Sequence, residues 1–231
     1  MQIDFHTHLL PNMDDGSQSV EESLALLSAL HTQGVDITVA TPHFYSNKTG
    51  LDDFLRRRDA AYAQLQSAQS EQTPKLLLGA EVSFFRGMGK ADRLSELCIS
   101  GTNALLIEMP FSQWKQGELA EMHQILNRGM VPMIAHLERY FAYQKDWTAF
   151  NEIINLPIHL QMNAEAVLRR RTRKFVFKLM EREFPVLLGT DCHNMKKRKP
   201  EMAAARKILA DHFGENCLEK LDALGAQLLN N

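Results

Sequence analysis

The amino-acid sequence predicts an α/β fold in which seven βα units form a TIM-like (β/α)7 barrel. Short apolar runs alternate with longer amphipathic segments along the chain, which is the pattern of parallel βα architectures. The length of 231 residues fits one such barrel with a sizeable core. No low-complexity linker or internal repeat divides the sequence. We therefore expect one domain over residues 1–231.

The apolar runs predict seven strands, each bounded by turn-forming residues. These strands cover residues 2–8, 36–43, 75–82, 104–109, 131–136, 158–163 and 186–191. Most of the segments between them repeat apolar residues at every third or fourth position, as amphipathic helices do.

The first helix is predicted over residues 20–33, with Ser17 or Ser19 as its N-cap and Gly34 as its stop. The same periodicity predicts helices over residues 52–70, 118–128, 147–155, 174–183, 200–212 and 215–229.

Composition excludes several classes of protein. The formal net charge of −2, with 45% hydrophobic and 23% charged residues, gives no reason to expect nucleic-acid binding or membrane insertion. The N-terminus lacks the basic and apolar regions of a secretory signal, and no run of 18 apolar residues follows. We therefore expect a cytoplasmic protein. The three cysteines contain no CxxC pair, which argues against a disulfide framework or a thiolate zinc site.

Residues that bind metal ions follow or end six of the seven predicted strands. His6 and His8 are two residues apart, so both side chains are expected on one face of the first strand, and Asp191 with His193 repeats this spacing. In α/β barrels the active site lies at the carboxyl ends of the strands. The candidate ligands are His6, His8, His43, Glu81, Glu108, His136, Asp191 and His193, with Asp14 or Asp15 on the turn before Gly16.

Nine ligands exceed what one metal ion needs and fit two or three ions. Imidazole mixed with carboxylate, without thiolate, suits manganese, iron or zinc. Clustered ions of this kind activate a bound water and bind phosphoryl oxygens. The other four histidines lie within or at the ends of predicted elements and are left out of the site.

The ordered motifs "DFHTHLLPNMDDG", "TPH", "AEV", "IEMP", "AHLER" and "GTDCHN" resemble the polymerase and histidinol phosphatase (PHP) superfamily. Within it, the chain is similar to bacterial protein-tyrosine phosphatases encoded with capsule and exopolysaccharide genes. The resemblance spans residues 3 to about 200 and implies a distorted seven-stranded barrel with three metal ions. Manganese is the metal it implies first, with iron, zinc or magnesium as other possibilities.

The resemblance also implies a role for each ligand. The first ion would be held by His6, His8, Glu81 and Asp191. The second would share Glu81 with the first and would also be held by Glu108 and His136. The third would be held by Asp15, His43 and His193. Asp15 is preferred over Asp14 because the family's ligand directly precedes the glycine. Arg139 and Arg198 match positions where these phosphatases bind the substrate phosphate, which suits a planar bidentate donor. Arg198 also lies in the basic run "KKRK", which could equally form a solvated face.

The implied substrate is phosphotyrosine on the tail of a bacterial tyrosine kinase that controls polysaccharide export. Phe44, Tyr45, Phe85 and Met88 are candidate walls for the tyrosyl ring. A basic run around residues 169–174 would either steer an acidic tail or form a solvated helix face.

Four alternatives remain open from the sequence. The first two are a small-molecule phosphatase of the histidinol-phosphate type and a phosphodiesterase or nuclease, both of which would share the metal ions. A third is a metal-binding structural or docking module without catalysis. The fourth is a cysteine-dependent phosphatase, because "CHNMKKR" at residues 192–198 satisfies the C-x5-R pattern.

Overall fold

The computed structural model describes residues 1–70 and 72–230. The strands in this part of the chain are β1 Ile3–Thr7, β2 Ile37–Ala40, β3 His43–Phe44, β4 Lys75–Leu78, β5 Glu81–Ser83, β6 Ala104–Glu108, β7 Val131–Ile134, β8 His159–Asn163 and β9 Val186–Gly189. The helices are α1 Val20–Thr32, α2 Leu51–Ala68, α3 Gln116–Asn127, α4 Thr148–Ile154, α5 Ala164–Leu168, α6 Arg170–Glu181, α7 Met202–Phe213 and α8 Asn216–Leu229.

The seven predicted helices are confirmed, with ends that shift by up to four residues. Ser19, rather than Ser17, caps α1, because its side chain accepts a hydrogen bond from the Glu22 amide. The short helix α5 and the 3-10 turn Leu137–Tyr143 were not expected from the sequence.

Two of the seven predicted strands are each split into two shorter strands. The second becomes β2 and β3, separated by Thr41 and Pro42, and the third becomes β4 and β5, separated by Gly79 and Ala80. Proline has no amide hydrogen to donate to a strand ladder, so a continuous strand through Pro42 is disfavoured. The strands therefore form a three-stranded sheet, β1-β2-β4, and a six-stranded sheet, β3-β5-β6-β7-β8-β9, with parallel pairing.

The two sheets are joined on both sides by main-chain hydrogen bonds. At the split strands, the chain itself passes from one sheet to the other, and the Ser100 amide, ahead of β6, donates to the Leu78 carbonyl of β4 at 2.7 Å. Beside β1 and β9, the Asp191 amide donates to the His6 carbonyl at 2.7 Å and the His8 amide to the Cys192 carbonyl at 3.0 Å. The predicted α/β architecture is thus confirmed. It is divided into two sheets, and each of the two places where the sheets meet is called a seam below.

A cluster of buried strand residues drawn from both sheets holds them together, and it includes Phe5, Val39, Leu106 and Leu187. Leu228 of α8 packs on this cluster. No helix in residues 1–70 and 72–230 is both long and apolar enough to cross a bilayer. That residues 1–231 act as one functional domain stays a prediction.

Candidate metal centre

The two histidines at the end of β1 face the same point, as their spacing predicts. Both side chains are buried, and their Nε2 atoms lie 3.0 Å apart. The Oε2 atom of Glu81, the first residue of β5, lies 3.3 Å from the His6 Nε2 and 3.2 Å from the His8 Nε2. Three potential ligand atoms from two sheets therefore meet in a space that water does not reach.

The other ring nitrogen of each histidine is held by an acceptor. The His6 Nδ1 donates to the Gln161 Oε1 at 2.9 Å, and the His8 Nδ1 donates to the Asp14 Oδ2 at 2.7 Å. An amide oxygen and a carboxylate accept but do not donate, so each Nδ1 carries the proton and each Nε2 presents a lone pair. Two lone pairs aimed at each other and at a carboxylate repel unless a cation lies between them. The donor set therefore fits a metal ion.

Buried atoms without a hydrogen-bond partner also indicate a metal site. The His43 Nδ1, the Glu81 Oε2 and the His136 Nδ1 are buried and make no hydrogen bond within residues 1–70 and 72–230. The His43 Nδ1 approaches the Glu81 Oε2 to 2.9 Å, but without hydrogen-bond alignment. A buried polar atom left unpaired costs about 1–3 kcal/mol of folding free energy, so a cation bound to these atoms would remove that cost.

Asp191 and His193 reach the site differently from what their spacing predicts. The strand β9 ends at Gly189, and Asp191 adopts a left-handed backbone with φ of 53°, so these residues do not alternate along a strand. The turn brings the Asp191 Oδ1 to 3.4 Å from the His8 Nε2 and 3.6 Å from the His6 Nε2. His136 is also left-handed, with φ of 32°. Sparsely populated backbone conformations of this kind concentrate at functional sites.

The acidic pair before Gly16 divides into two roles. Asp15 is 68% exposed, and its Oδ1 lies 3.4 Å from the His193 Nε2 and 3.7 Å from the His43 Nε2, the two other residues predicted to hold the third ion. Asp14 is mostly buried, and besides orienting His8 it accepts a hydrogen bond from the His43 amide at 2.9 Å. A Cβ on Gly16 would lie 2.0 Å from the His8 carbonyl oxygen, so only glycine permits this turn.

The remaining predicted ligands complete the cluster. The His136 Nε2 lies 2.8 Å from the Glu81 Oε1 and 3.8 Å from the Glu108 Oε1. Within the described residues, three sets have ligand atoms within 4.8 Å of one another: His8 with Asp15, His43 and His193; His6 with His8 and Glu81; and His43 with Glu81 and Glu108. Seven of the nine predicted residues fall in these sets, three of them in two sets each, and the other two, His136 and Asp191, lie within 4 Å of set members. Which residue binds which ion stays a prediction.

The electrostatics of the site favour added positive charge. Burial lowers the pKa of His8, but the neighbouring carboxylates of Asp14, Asp191 and Glu81 raise that pKa well above its usual value. Burial raises the pKa of Glu81, yet the neighbouring imidazoles hold it well below its usual value. The carboxylates thus stay ionised and stabilise cationic partners, which is the environment a divalent ion requires.

Both predicted arginines lie at the rim of this cluster and contact the same carboxylate oxygen. The Asp191 Oδ2 accepts from the Arg139 Nη2 at 2.5 Å and lies 2.7 Å from the Arg198 Nη2. Their side chains are 34% and 35% exposed, so each guanidinium reaches both the site and solvent. Arg198 therefore faces the site rather than forming part of a solvated basic surface.

Sequence reasoning missed Gln161 and Asn163, which support the cluster from β8. The Gln161 Oε1 accepts from the His136 amide at 2.7 Å as well as from His6, and its Nε2 donates to the Asn163 Oδ1 at 3.1 Å. The Asn163 Nδ2 then donates to the Asp191 Oδ2 at 2.9 Å. The sequence did contain a signal for these two residues. The predicted strand over residues 158–163 has no candidate ligand, and it ends in Gln-x-Asn, with the same spacing as His6 and His8.

The predicted aromatic walls are only partly correct. Phe44 and Met88 are buried in the core rather than exposed at the metal centre, whereas the Tyr45 ring lies tilted beside the His43 ring, 5.1 Å between centroids. The sequence did not single out Phe111, which is 43% exposed and nearly parallel to the His136 ring, 18° between planes and 5.9 Å between centroids. Tyr143, 45% exposed, meets Phe111 edge-on at 5.8 Å.

The cysteine alternative is contradicted by the environment of Cys192. This side chain has no exposed surface, and burial followed by the charge of Asp4 raises the pKa of its thiol far above the usual value. A nucleophilic cysteine needs the opposite, an accessible thiol with a lowered pKa. The C-x5-R match is therefore not the active site.

Comparison with known proteins agrees with this geometry. The sequence profile of the family described as "Capsular polysaccharide synthesis, CpsB/CapC" matches residues 2–229.

The chain belongs to the CpsB/CapC family.

Two similar proteins match this chain over nearly their whole length. The tyrosine-protein phosphatase CpsB of Streptococcus agalactiae is 27% identical over 235 residues, covering 97% of this chain and 96% of that protein. The tyrosine-protein phosphatase YwqE of Bacillus subtilis is 25% identical over 237 residues, covering 99% and 92%. The resemblance seen in the sequence is thereby confirmed.

Solved structures support the fold. Crystal structures of YwqE from Bacillus subtilis and CpsB from Streptococcus pneumoniae, described as unique metal-dependent tyrosine phosphatases, superpose with a TM-score of 0.86 at 23% identity, covering 100% of this chain and 95% of the other. A phosphotriesterase homology protein from Escherichia coli, complexed with phosphate in its active site, gives a TM-score of 0.60 at 14% identity, covering 99% and 98%.

Proposed function

We propose that this CpsB/CapC family member is a metal-dependent protein-tyrosine phosphatase that hydrolyses phosphotyrosine on a bacterial tyrosine kinase of capsule or exopolysaccharide synthesis. The observation that carries the proposal is the convergence of nine histidine and carboxylate side chains in one cluster, with two arginines at its rim. The CpsB and YwqE relatives, matched over nearly their whole length, carry the same activity in their names.

The residues divide between holding metal and handling substrate. His6, His8, Asp15, His43, Glu81, Glu108, His136, Asp191 and His193 would hold up to three ions, with manganese the first choice and iron, zinc or magnesium next. Bound divalent ions of this kind polarise phosphoryl oxygens and lower the pKa of a coordinated water. Arg139 and Arg198, which both lie beside Asp191, would donate hydrogen bonds to the phosphate oxygens, because a guanidinium binds phosphate in a bidentate manner.

The aromatic rings at the mouth favour a phenyl phosphate over an alkyl one. Phe111 lies exposed beside His136, and the exposed Tyr143 contacts Phe111, so a tyrosyl ring whose phosphate enters the cluster can stack on Phe111. Phenolate, with a parent pKa of about 10, also leaves without strong acid assistance. We propose no nucleic-acid substrate; the cytoplasmic location stays a prediction.

The test is hydrolysis by chelator-stripped protein with and without added manganese. We expect wild type and Cys192→Ala to recover activity on p-nitrophenyl phosphate and a phosphotyrosine peptide, and His136→Ala to recover none. We also expect Phe111→Ala to raise KM for the phosphotyrosine peptide while leaving metal content unchanged. Preference for histidinol phosphate would indicate a small-molecule phosphatase, and degradation of single-stranded DNA a nuclease. Metal binding without any turnover would indicate a docking module.

A further inference from the structure

A groove of about 580 Å³ lies outside the metal centre, between the 3-10 turn Leu137–Tyr143 and helix α6. Its lining includes Glu138, Phe141, Arg171, Lys174, Phe175 and Lys178. None of these residues is assigned a role in the metal site or in binding the phosphate. Metal binding and phosphate binding therefore do not explain this groove.

The groove is strongly basic on one side. Arg171, Lys174 and Lys178 are exposed and lie three and four positions apart, so they form one stripe along α6. None of the three makes an ion pair within 4 Å with a carboxylate in the part of the chain that the structure describes. The 12 residues of α6 include five lysines and arginines and one glutamate, whereas the whole chain has a net charge of −2.

The neighbouring charges leave this stripe uncompensated. Arg169 is paired with Glu165, and Arg173 donates to the carbonyls of Val167 and Leu168, so both are already engaged. Glu138 is the one acidic residue among the described groove residues, but it is only 8% exposed and accepts from the Asn163 amide at 3.3 Å. The accessible charge in the groove is therefore positive.

An exposed aromatic ring lies beside the stripe. Phe141 is 43% exposed and packs at its base on Trp147, 5.1 Å between centroids, and on Phe175 at 5.4 Å. A rigid ring flanked by unpaired cations is suited to a peptide that carries carboxylates and an apolar residue. Phe141 also lies two residues from Arg139 in the same 3-10 turn, so the groove and the phosphate-binding rim share one structural element.

We propose that this groove binds an acidic segment of the same phosphoprotein whose phosphotyrosine enters the metal centre. The inference rests on the proposed phosphatase function and adds to it a preference for phosphotyrosine flanked by aspartate and glutamate. Charge complementarity identifies the occupant as an acidic peptide. Because the segment and the phosphotyrosine belong to one chain, binding in the groove raises the effective concentration of the phosphotyrosine at the site.

The test compares two phosphotyrosine peptides, one with a glutamate-rich flank and one with glutamine at the same positions. The groove variant is Arg171→Gln/Lys174→Gln/Lys178→Gln, and the matched control is Lys75→Gln/Lys207→Gln/Lys220→Gln, which removes the same charge from exposed lysines elsewhere. The unphosphorylated forms of both peptides are also titrated by fluorescence anisotropy, so that binding is measured without hydrolysis.

We expect the groove variant to raise KM for the glutamate-rich peptide about tenfold, since exposed ion pairs contribute a few-fold each. kcat on that peptide, and all constants for the glutamine peptide and for p-nitrophenyl phosphate, should match wild type. The advantage of the glutamate-rich peptide should fade with added salt. The charge-reversed variant Arg171→Glu/Lys174→Glu/Lys178→Glu should instead prefer a lysine-flanked peptide.

Equal constants for the two peptides with wild type, or equal losses in the groove variant and its control, would overturn the docking proposal. Binding of wild type to anionic phospholipid vesicles, lost in the groove variant while peptide binding is absent, would assign the stripe to a membrane surface instead. If wild type hydrolyses neither peptide, the proposed function fails, and the anisotropy titration alone then decides whether the groove binds acidic peptide.

Discussion

Replacing Gln161 by methionine tests the idea that a buried amide organises the metal centre. The Gln161 Oε1 accepts from two donors at once, the His6 Nδ1 at 2.9 Å and the His136 amide at 2.7 Å. Methionine has nearly the same length but offers only a weak acceptor, so both donors lose their partner in a region without exposed surface.

The structure sets the expected size of the effect. Each stranded buried donor costs about 1–3 kcal/mol, and two of them give roughly 3 kcal/mol or more in free energy of unfolding. For a domain of 150–250 residues, 1 kcal/mol shifts Tm by about 2–4 °C, so the metal-free variant should unfold about 6–12 °C below wild type. His6 also loses the hydrogen bond that fixes its tautomer, which should weaken manganese binding by about 10–100-fold.

The assays are thermal unfolding with excess chelator and calorimetric titration of stripped protein with manganese. The control is Gln64→Met, the same substitution at an exposed position of α2. A Gln161→Met protein that unfolds within about 2 °C of this control and binds manganese as wild type does would refute the positioning role.

Three further outcomes are expected. Gly16→Ala should lower Tm by about 6 °C or more, because its Cβ would lie 2.0 Å from the His8 carbonyl oxygen; Gly117→Ala, with no atom within 4 Å of the added Cβ, should cost nothing in the same unfolding assay. Asp14→Ala should weaken manganese binding about 10–100-fold, since His8 loses its Nδ1 acceptor; an unchanged titration would contradict this. Burial lowers the pKa of His159 in the folded state, so the unfolded chain takes up a proton first and stability falls as pH drops below about 6.5. Tm measured between pH 8 and pH 5 should therefore decline less for His159→Gln than for wild type, and parallel curves would exclude this contribution.

The sequence predicted the candidate ligand set because the chemistry of metal binding limits the residue types. Histidine and carboxylate at strand ends are unusual enough to stand out, and their shared location follows from the barrel rule. The detailed geometry did not follow, because Asp191 leaves the strand through a left-handed turn and period-two alternation no longer applies. Gln161 and Asn163 escaped notice because amides are poor ligands, although they hold the ligands in place.

Other features depended on contacts that periodicity does not encode. The interruption at Pro42 was visible in the sequence, but the apolar run across it concealed the change from one sheet to the other. Phe44 appeared suited to a substrate wall because it follows His43, yet it turns into the core against Phe54. Phe111 was overlooked because it lies in the loop beyond β6, where no pattern marks which side chain returns to the mouth.

The seam between β1 and β9 has a consequence for the cohesion of the whole chain. The main-chain ladder between the first and last strands is short there, so this is where we expect amide hydrogen exchange of the metal-free protein to be fastest among the strands. The predicted ligands His8 and Asp191 approach from opposite sides of that seam, 183 positions apart in sequence. An ion held by both would close a loop that contains most of the polypeptide, and cross-links that close long loops restrict the unfolded chain most. A bound metal ion would then cross-link the first and last strands. Slower amide hydrogen exchange at this seam would reveal that cross-link without any substrate.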